Sequence, residues 1–277
     1  MEILITGATG RLGRVLTPEL VRAGHGVRAA SRSTGPGGKP GPEDPAGLRR
    51  VRLDLVSGDG LVAALDGVDT VVHLASAPNQ GRYTRQVEVT GTRRLVEAAG
   101  QAGVRHLVYL SIVGTDRVSW PYFRFKVEAE TEVAAGPVPW TVLRVTHFHE
   151  FLAEALSRLA RLPVLPLDPG IMTQPVDVAD VAAHLRWRVT APPGGTTEEF
   201  GGPVALDAGT LARDWLAARG VRRRLLRLPL PGRLGRAFRA GAFVPAAGAR
   251  GQITWREYLA GTAGQAGWPG RSDDSTS

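Results

Sequence analysis

Residues 2–14, "EILITGATGRLGR", set an apolar run directly against a glycine triplet and then a helix-forming stretch. Few architectures accept that order. Gly7, Gly10 and Gly13 are three residues apart at the junction. The first permits a tight turn, the second lets backbone N–H groups approach a pyrophosphate, and the third lets helix and sheet pack closely. The anion would lie over the helix N-terminus, where unpaired N–H groups and the helix dipole favour negative charge.

The alternation continues downstream. Strands are expected over 2–8, 26–32, 69–76, 105–114 and 139–148, separated by helical patterns over 11–24, 59–67, 89–103 and 119–135, with a short strand before Asp54. Strands joined by helices of this length wind right-handed βαβ units into a doubly wound parallel sheet, an α/β Rossmann fold. The reading places a nucleotide-binding domain at 1–150. A smaller α/β region at 151–269 follows, holding a helix at 151–162, a strand-like stretch at 174–185 that packs back on the core, a Pro/Gly hinge at 192–195, a helix and strand within 211–228 and a last helix at 255–264. The Gly/Pro-rich loop 33–47 is expected to be mobile and the tail 270–277 disordered.

Composition removes several chemistries. With no cysteine there is no disulfide, thiolate nucleophile or Cys-ligated metal centre. No run of 18 uncharged apolar residues occurs and no leader-like segment precedes the first strand, so a cytoplasmic chain with no membrane partner is expected. The net charge of +8 and the arginine-dense stretch 219–239 lack any accompanying nucleic-acid motif, and the arginines alternate with Leu and Trp as on the wet side of an amphipathic helix. No nucleic-acid partner is expected, and the chain is read as a monomer or homodimer.

The end of the second strand selects the dinucleotide. A carboxylate there would bind a ribose 2′-hydroxyl, whereas "AASRS" (29–33) offers Ser31 and Arg32, which suit a 2′-phosphate. NADP(H) is therefore the expected cofactor. Asp54 and Leu55 follow the next short strand, where the carboxylate can meet the adenine amino group and the leucine its ring; the alternative for Asp54 is a turn cap.

"TGATGRLG", "VVHLAS", "HLVYLSIVG", "PYFRFKVEAE", "PWTVLRVTHFHEF" and "QPVDVADVA" occur in an order and spacing that resembles the short-chain dehydrogenase/reductase superfamily, and within it the extended and atypical NmrA-like NAD(P)H-binding branch. The resemblance implies that Thr9, Arg11 and Leu12 join the glycines at the cofactor. It also implies that Ala75, Ser76, Thr146 and Phe148 line its ribose and nicotinamide side, and that Ser111, Tyr122 and Lys126 are the catalytic set. Tyr122 and Lys126 are spaced i, i+4 on one helix face, where an ammonium would lower the phenol pKa and also hold the ribose. Of 34 basic residues only Lys39 and Lys126 are lysines, and a site that needs a compact ammonium resists replacement by arginine. The alternative pairs Lys126 with Glu130 on an exposed face. Two departures from the pattern are Pro121 directly before Tyr122, and Glu88 of "EVTGT" where extended members carry an asparagine.

Trp120, Phe123, His147, Phe151, Met172 and Gln174 are candidates for a flat, apolar substrate pocket. His147 is either an auxiliary acid or base or a structural histidine, and with His149 it lacks a third metal ligand, so no metal is expected. The function these residues imply is NADPH-dependent reduction of a carbonyl, enone or quinone on a small hydrophobic substrate, as in secondary metabolism. The alternatives are a non-catalytic NADP(H) redox sensor and a redox-neutral cyclase or isomerase that keeps the cofactor.

Overall fold

The computed structural model describes residues 1–32 and 46–262. Most of the loop read at 33–47, with Lys39, and the tail 270–277 lie outside the described residues.

The first half alternates as the periodicity predicts: β1 (Glu2–Thr6), α1 (Arg11–Arg22), β2 (Gly26–Ser31), β3 (Leu48–Arg52), α2 (Leu61–Leu65) and β4 (Thr70–His73). One continuous helix follows, built from α3 (Arg82–Arg85), a π-helical turn (Gln86–Gly91) and α4 (Thr92–Gln101). Next come β5 (His106–Ile112), α5 (Pro121–Ala135) and β6 (Trp140–Val145). The second half contributes α6 (His149–Leu159), β7 (Val164–Leu167), β8 (Met172–Thr173), α7 (Val178–Thr190), β9 (Thr197–Gly201), β10 (Leu206–Asp207), α8 (Ala208–Ala218), β11 (Arg224–Arg227), α9 (Gly232–Arg239), β12 (Ala249–Arg250) and α10 (Trp255–Thr262).

Eight strands form one parallel sheet in the order β12-β9-β6-β5-β4-β1-β2-β3. The winding direction reverses between β1 and β4, which opens a crevice at the carboxyl ends of the strands. The two-residue period of β1 sorts the core: Ile3 and Ile5 face α1 and α7 with Leu16, Leu20, Val181 and Leu185, while Leu4 faces α2, α4 and α5 with Leu65, Leu95 and Val133. A separate cluster joins α6, α8 and α10 through Leu156, Trp215 and Trp255.

One expectation is corrected here. The stretch 174–185 is not a strand: only an isolated bridge from Val176 to Phe148 remains, and α7 begins at Val178. The Asp177 carboxylate caps that helix by accepting from the Ala179 N–H at 2.9 Å. Val178, Val181, Ala182, Leu185 and Val189 are all buried, at helical rather than strand spacing. The sheet instead takes β9 and β12 from this half of the chain, which the sequence reading did not anticipate.

Candidate functional site

The crevice at the switch point is a cleft of about 1330 Å³. Its floor is the turn between β1 and α1. Gly7 has a left-handed φ of 71°, and a Cβ there would lie 2.7 Å from the Ala75 amide nitrogen, so only glycine lets the two strand ends approach. The α1 N-terminus has Gly10 as its cap and no side-chain acceptor on its first N–H groups. An anion can complete that helix end, so the residues present fit the pyrophosphate of a dinucleotide. Thr9, Gly10, Arg11, Leu12 and Gly13 all wall this part of the cleft.

At the end of the cleft beside β2 and β3, Ser31, Arg32, Asp54 and Leu55 also wall it. The Arg32 guanidinium donates to the Tyr83 hydroxyl and lies 5.5 Å from the centre of the Tyr83 ring. Asp54 serves as a turn cap, its Oδ1 accepting from Val56 N–H at 2.8 Å, and Leu55 is buried beside it.

The middle of the cleft holds Ala75, Ser76, Ser111, Tyr122, Lys126, Thr146 and Phe148. Pro121 occupies the first position of α5, where its missing N–H costs nothing, and Tyr122 still reaches the cleft. Its hydroxyl lies 2.8 Å from Ser76 Oγ, and Ser76 in turn donates to the Glu88 carboxylate. Glu88 also accepts from the Ala77 N–H at 2.9 Å and pairs with Lys126 at 3.4 Å. The Lys126 ammonium is 3% exposed; it donates to the Leu110 carbonyl at 2.8 Å and lies 4.3 Å from the centre of the Tyr109 ring.

Lys126 does not pair with Glu130 on an exposed face, as the alternative had it; it is buried against Glu88. Nor does Lys126 lower the Tyr122 phenol pKa: burial, and secondarily the Glu88 charge, raise it well above its ordinary value, against a smaller opposing effect of the Ser76 hydrogen bond. Glu88, the departure from the family's asparagine, is therefore the hub of the centre. Ser111 is also redirected. Its hydroxyl donates to Glu130, which Arg144 holds with two parallel hydrogen bonds of 3.0 and 2.6 Å, so the Ser111 hydrogen points away from the cleft.

Beyond this centre the walls become apolar. Trp120, Phe123, His147 and Phe151 line the cleft as expected from their pattern, whereas Met172 and Gln174 do not. Met172 belongs to the short β8–β10 ribbon, and the buried Gln174 amide donates to the Gly202 carbonyl. The His147 ring stacks on Phe151 at 5.6 Å and meets Phe243 edge-on at 4.6 Å; burial lowers its pKa to about 4, so the imidazole is neutral at physiological pH. His149 faces Ile253 and the rings of Trp255 and Tyr258 instead. No group of three metal-ligating side chains occurs among the described residues.

Among the walls missed by sequence reasoning are Leu230, Leu234 and Phe238 at the apolar end. They recur every four residues, Leu230 just before α9 and the other two on it, a spacing that was legible but was masked by the arginines between them.

A parallel sheet with a glycine-lined helix start at its switch point, and a Tyr/Lys helix beside it, defines a nicotinamide-dinucleotide-binding protein with the short-chain dehydrogenase/reductase fold. The chain belongs to the NAD(P)H-binding family, whose profile matches residues 7–185. It is 28% identical over 186 residues to the photosystem II assembly factor Ycf39 of Trieres chinensis, covering 66% of this chain and 57% of that protein. It is 30% identical over 200 residues to the divinyl chlorophyllide a 8-vinyl-reductase of Oryza sativa subsp. indica, covering 66% and 49%. The chain thus spans about half the length of these curated relatives. The NADPH-dependent quinone oxidoreductase QOR2 of Escherichia coli, in its complex with NADPH, superposes with a TM-score of 0.74 over 94% of this chain and 99% of its own, at 20% identity, a likeness of fold. No described helix is long and apolar enough to cross a membrane.

Proposed function

We propose that the protein is an NADPH-dependent reductase that acts on a carbonyl, enone or quinone of a small hydrophobic molecule. The observation that carries this reading is the continuity of the cleft: it runs unbroken from the glycine turn, past Tyr122, to the apolar walls Trp120, Phe151, Leu234 and Phe238. The names of two relatives, a vinyl reductase and an NADPH-dependent quinone oxidoreductase, agree with it. Arg32, with no carboxylate beside it at the end of β2, supports NADPH over NADH.

NADPH would supply the hydride. Tyr122, a neutral phenol, would donate its proton to the oxygen that becomes negative. Ser76 accepts from that phenol in the resting state and would take part in its reprotonation. Lys126 and Ser76 would hold the cofactor ribose, with Glu88 fixing the direction of both. Because Ser111 donates to Glu130, Tyr122 and not Ser111 would be the hydrogen-bond donor to the substrate oxygen. Residues 151–269 would serve as the substrate-binding region through Phe151 on α6 and the walls on α9.

A second reading, an NADP(H) sensor without turnover, draws on one observation: the Lys126 charge is spent on Glu88 rather than on Tyr122. The test incubates the protein with NADPH deuterated at either C4 face and a panel of quinones, enones and ketones, and follows deuterium by mass spectrometry. Transfer from one face supports the reductase. Tight NADPH binding with no deuterium in any product overturns it in favour of the sensor.

A further inference from the structure

The positive charge of this protein is not spread over it. Residues 215–256 contain ten of the 34 basic residues and no carboxylate, so with a total of +8 the remainder of the chain is slightly acidic on balance. Within that segment Arg219 and Arg223 donate to backbone carbonyls, Arg239 pairs with Asp168 and Arg256 with Asp214. Arg222, Arg224, Arg227, Arg233 and Arg236 are exposed and have no side-chain partner among the described residues.

Apolar side chains share that surface. Of the eleven exposed large hydrophobic residues described, five are Leu162, Val164, Leu226, Leu228 and Leu230. The strand register explains why they are presented outward together. β11 pairs in parallel with β7, with Val164 opposite Arg224, Leu165 opposite Leu225 and Pro166 opposite Leu226. Leu165 and Leu225 turn into the cluster formed with α6 and α8, so Arg224, Leu226 and Val164 occupy the opposite, outer face. Leu228 follows two residues beyond Leu226 and is 58% exposed. The chain then passes Leu230, which lines the cleft, and enters α9, whose Leu234 and Phe238 turn into the cleft while Arg233 and Arg236 stay with the exposed arginines or at their margin. Arg239, bonded to both Asp168 and the Leu230 carbonyl, fixes α9 to this strand.

We infer that the β7–β11 face and the start of α9 form a docking surface for an anionic lipid bilayer, with the leucines entering the headgroup boundary and the arginines meeting lipid phosphates. Exposed guanidinium groups complement a negative surface, and exposed aliphatic side chains among them give a contribution that charge alone does not. A nucleic acid would use the same charge, but among the described residues no exposed aromatic ring on this face offers a stacking platform. The sequence-based expectation of no membrane partner rested on the lack of a spanning segment, which an interfacial surface does not need. If the proposed reduction holds, the cleft mouth at Leu230 would face the bilayer from which an apolar substrate would enter; the docking itself does not depend on turnover.

The full-length chain is sedimented with vesicles of phosphatidylcholine alone and of phosphatidylcholine with phosphatidylglycerol, at low and high salt. Binding is expected only to the anionic vesicles, and it should weaken with salt. The pair Arg222→Gln/Arg224→Gln, both of the outward parity, should bind about 25-fold more weakly, at about fivefold per arginine. Leu226→Ser/Leu228→Ser should lose roughly tenfold. All four positions are exposed, so thermal midpoints should match the unaltered protein. No binding to phosphatidylglycerol vesicles overturns the inference. So does a leucine variant that binds like the unaltered protein, or a preference for duplex DNA over the vesicles, either of which would show a surface that reads charge only.

Discussion

Glu88→Gln isolates the hub of the centre with a change of one atom. The carboxylate meets Lys126 at 3.4 Å with both side chains almost fully buried. At an effective dielectric of about 20 that separation corresponds to about 5 kcal/mol of attraction. The amide of glutamine would still accept from Ser76 or the Ala77 N–H but would offer Lys126 no charge. The ammonium would keep only the Leu110 carbonyl and the Tyr109 ring. Breaking a buried pair on one side costs about 3–5 kcal/mol, and with a urea dependence of roughly 3 kcal/mol per molar the unfolding midpoint should fall by about 1–1.7 M. The double variant Glu88→Gln/Lys126→Met removes both members and should recover most of that loss, because a buried pair replaced as a unit is often nearly neutral. Urea unfolding followed by tryptophan fluorescence measures both variants and the single Lys126→Met against the unaltered protein. A single variant costing less than about 1 kcal/mol, or a double variant that simply adds the two single losses, refutes the counterion role.

Three further outcomes are expected. Tyr122→Phe should slow the hydride step about 100- to 1000-fold while the NADPH dissociation constant stays unchanged, as read by single-turnover absorbance and fluorescence titration. Arg32→Ala should weaken NADPH binding about 10- to 100-fold and leave NADH binding almost untouched, which calorimetry with both cofactors would show. The buried His73 is pushed down to about 3 by burial and by the Lys126 charge, and His106 to about 4 by burial and by Arg188, from an unfolded value of 6.5. Their folded-state pKa values are lowered, so the unfolded chain binds more protons below 6.5: stability is fully present above that pH and declines as pH falls toward 4, by up to about 1.4 kcal/mol per pH unit for each histidine. Urea midpoints across that range measure the slope.

Much of this was legible in the sequence because it depends on local spacing. The glycine triplet, the alternation of β1 through β6 and the positions of Tyr122 and Lys126 follow from residues a few places apart. The region after 173 was less legible for the same reason. "PVDV" carries a local period of two that imitates a strand, while the helical spacing from Val178 to Val189 shows only over a longer window. β9, "TEEFG", is half polar and is held in the sheet by pairing with the distant β6 on one side and β12 on the other. The site was hardest to read where its partners are far apart in the chain. Nothing near Lys126 identifies Glu88, 38 residues earlier, as its counterion, and nothing near Ser111 shows that Glu130 takes its hydrogen.

The π-helical turn at Gln86–Gly91 gives the centre a dependence on chain length as well as on side-chain identity. An α-helix advances about 100° per residue, so the wider turn resets the phase between α3 and α4. It is in this turn that Glu88 meets Lys126, while Gly91, whose Cβ would crowd Leu55 at 2.9 Å, lets the helix settle against the loop after β3. Deleting one residue of this turn other than Glu88 would leave every chemical group of the centre in the sequence and still swing the carboxylate off the ammonium. In this protein the spacing of the backbone is itself a component of the site, as specific as any of the residues it carries.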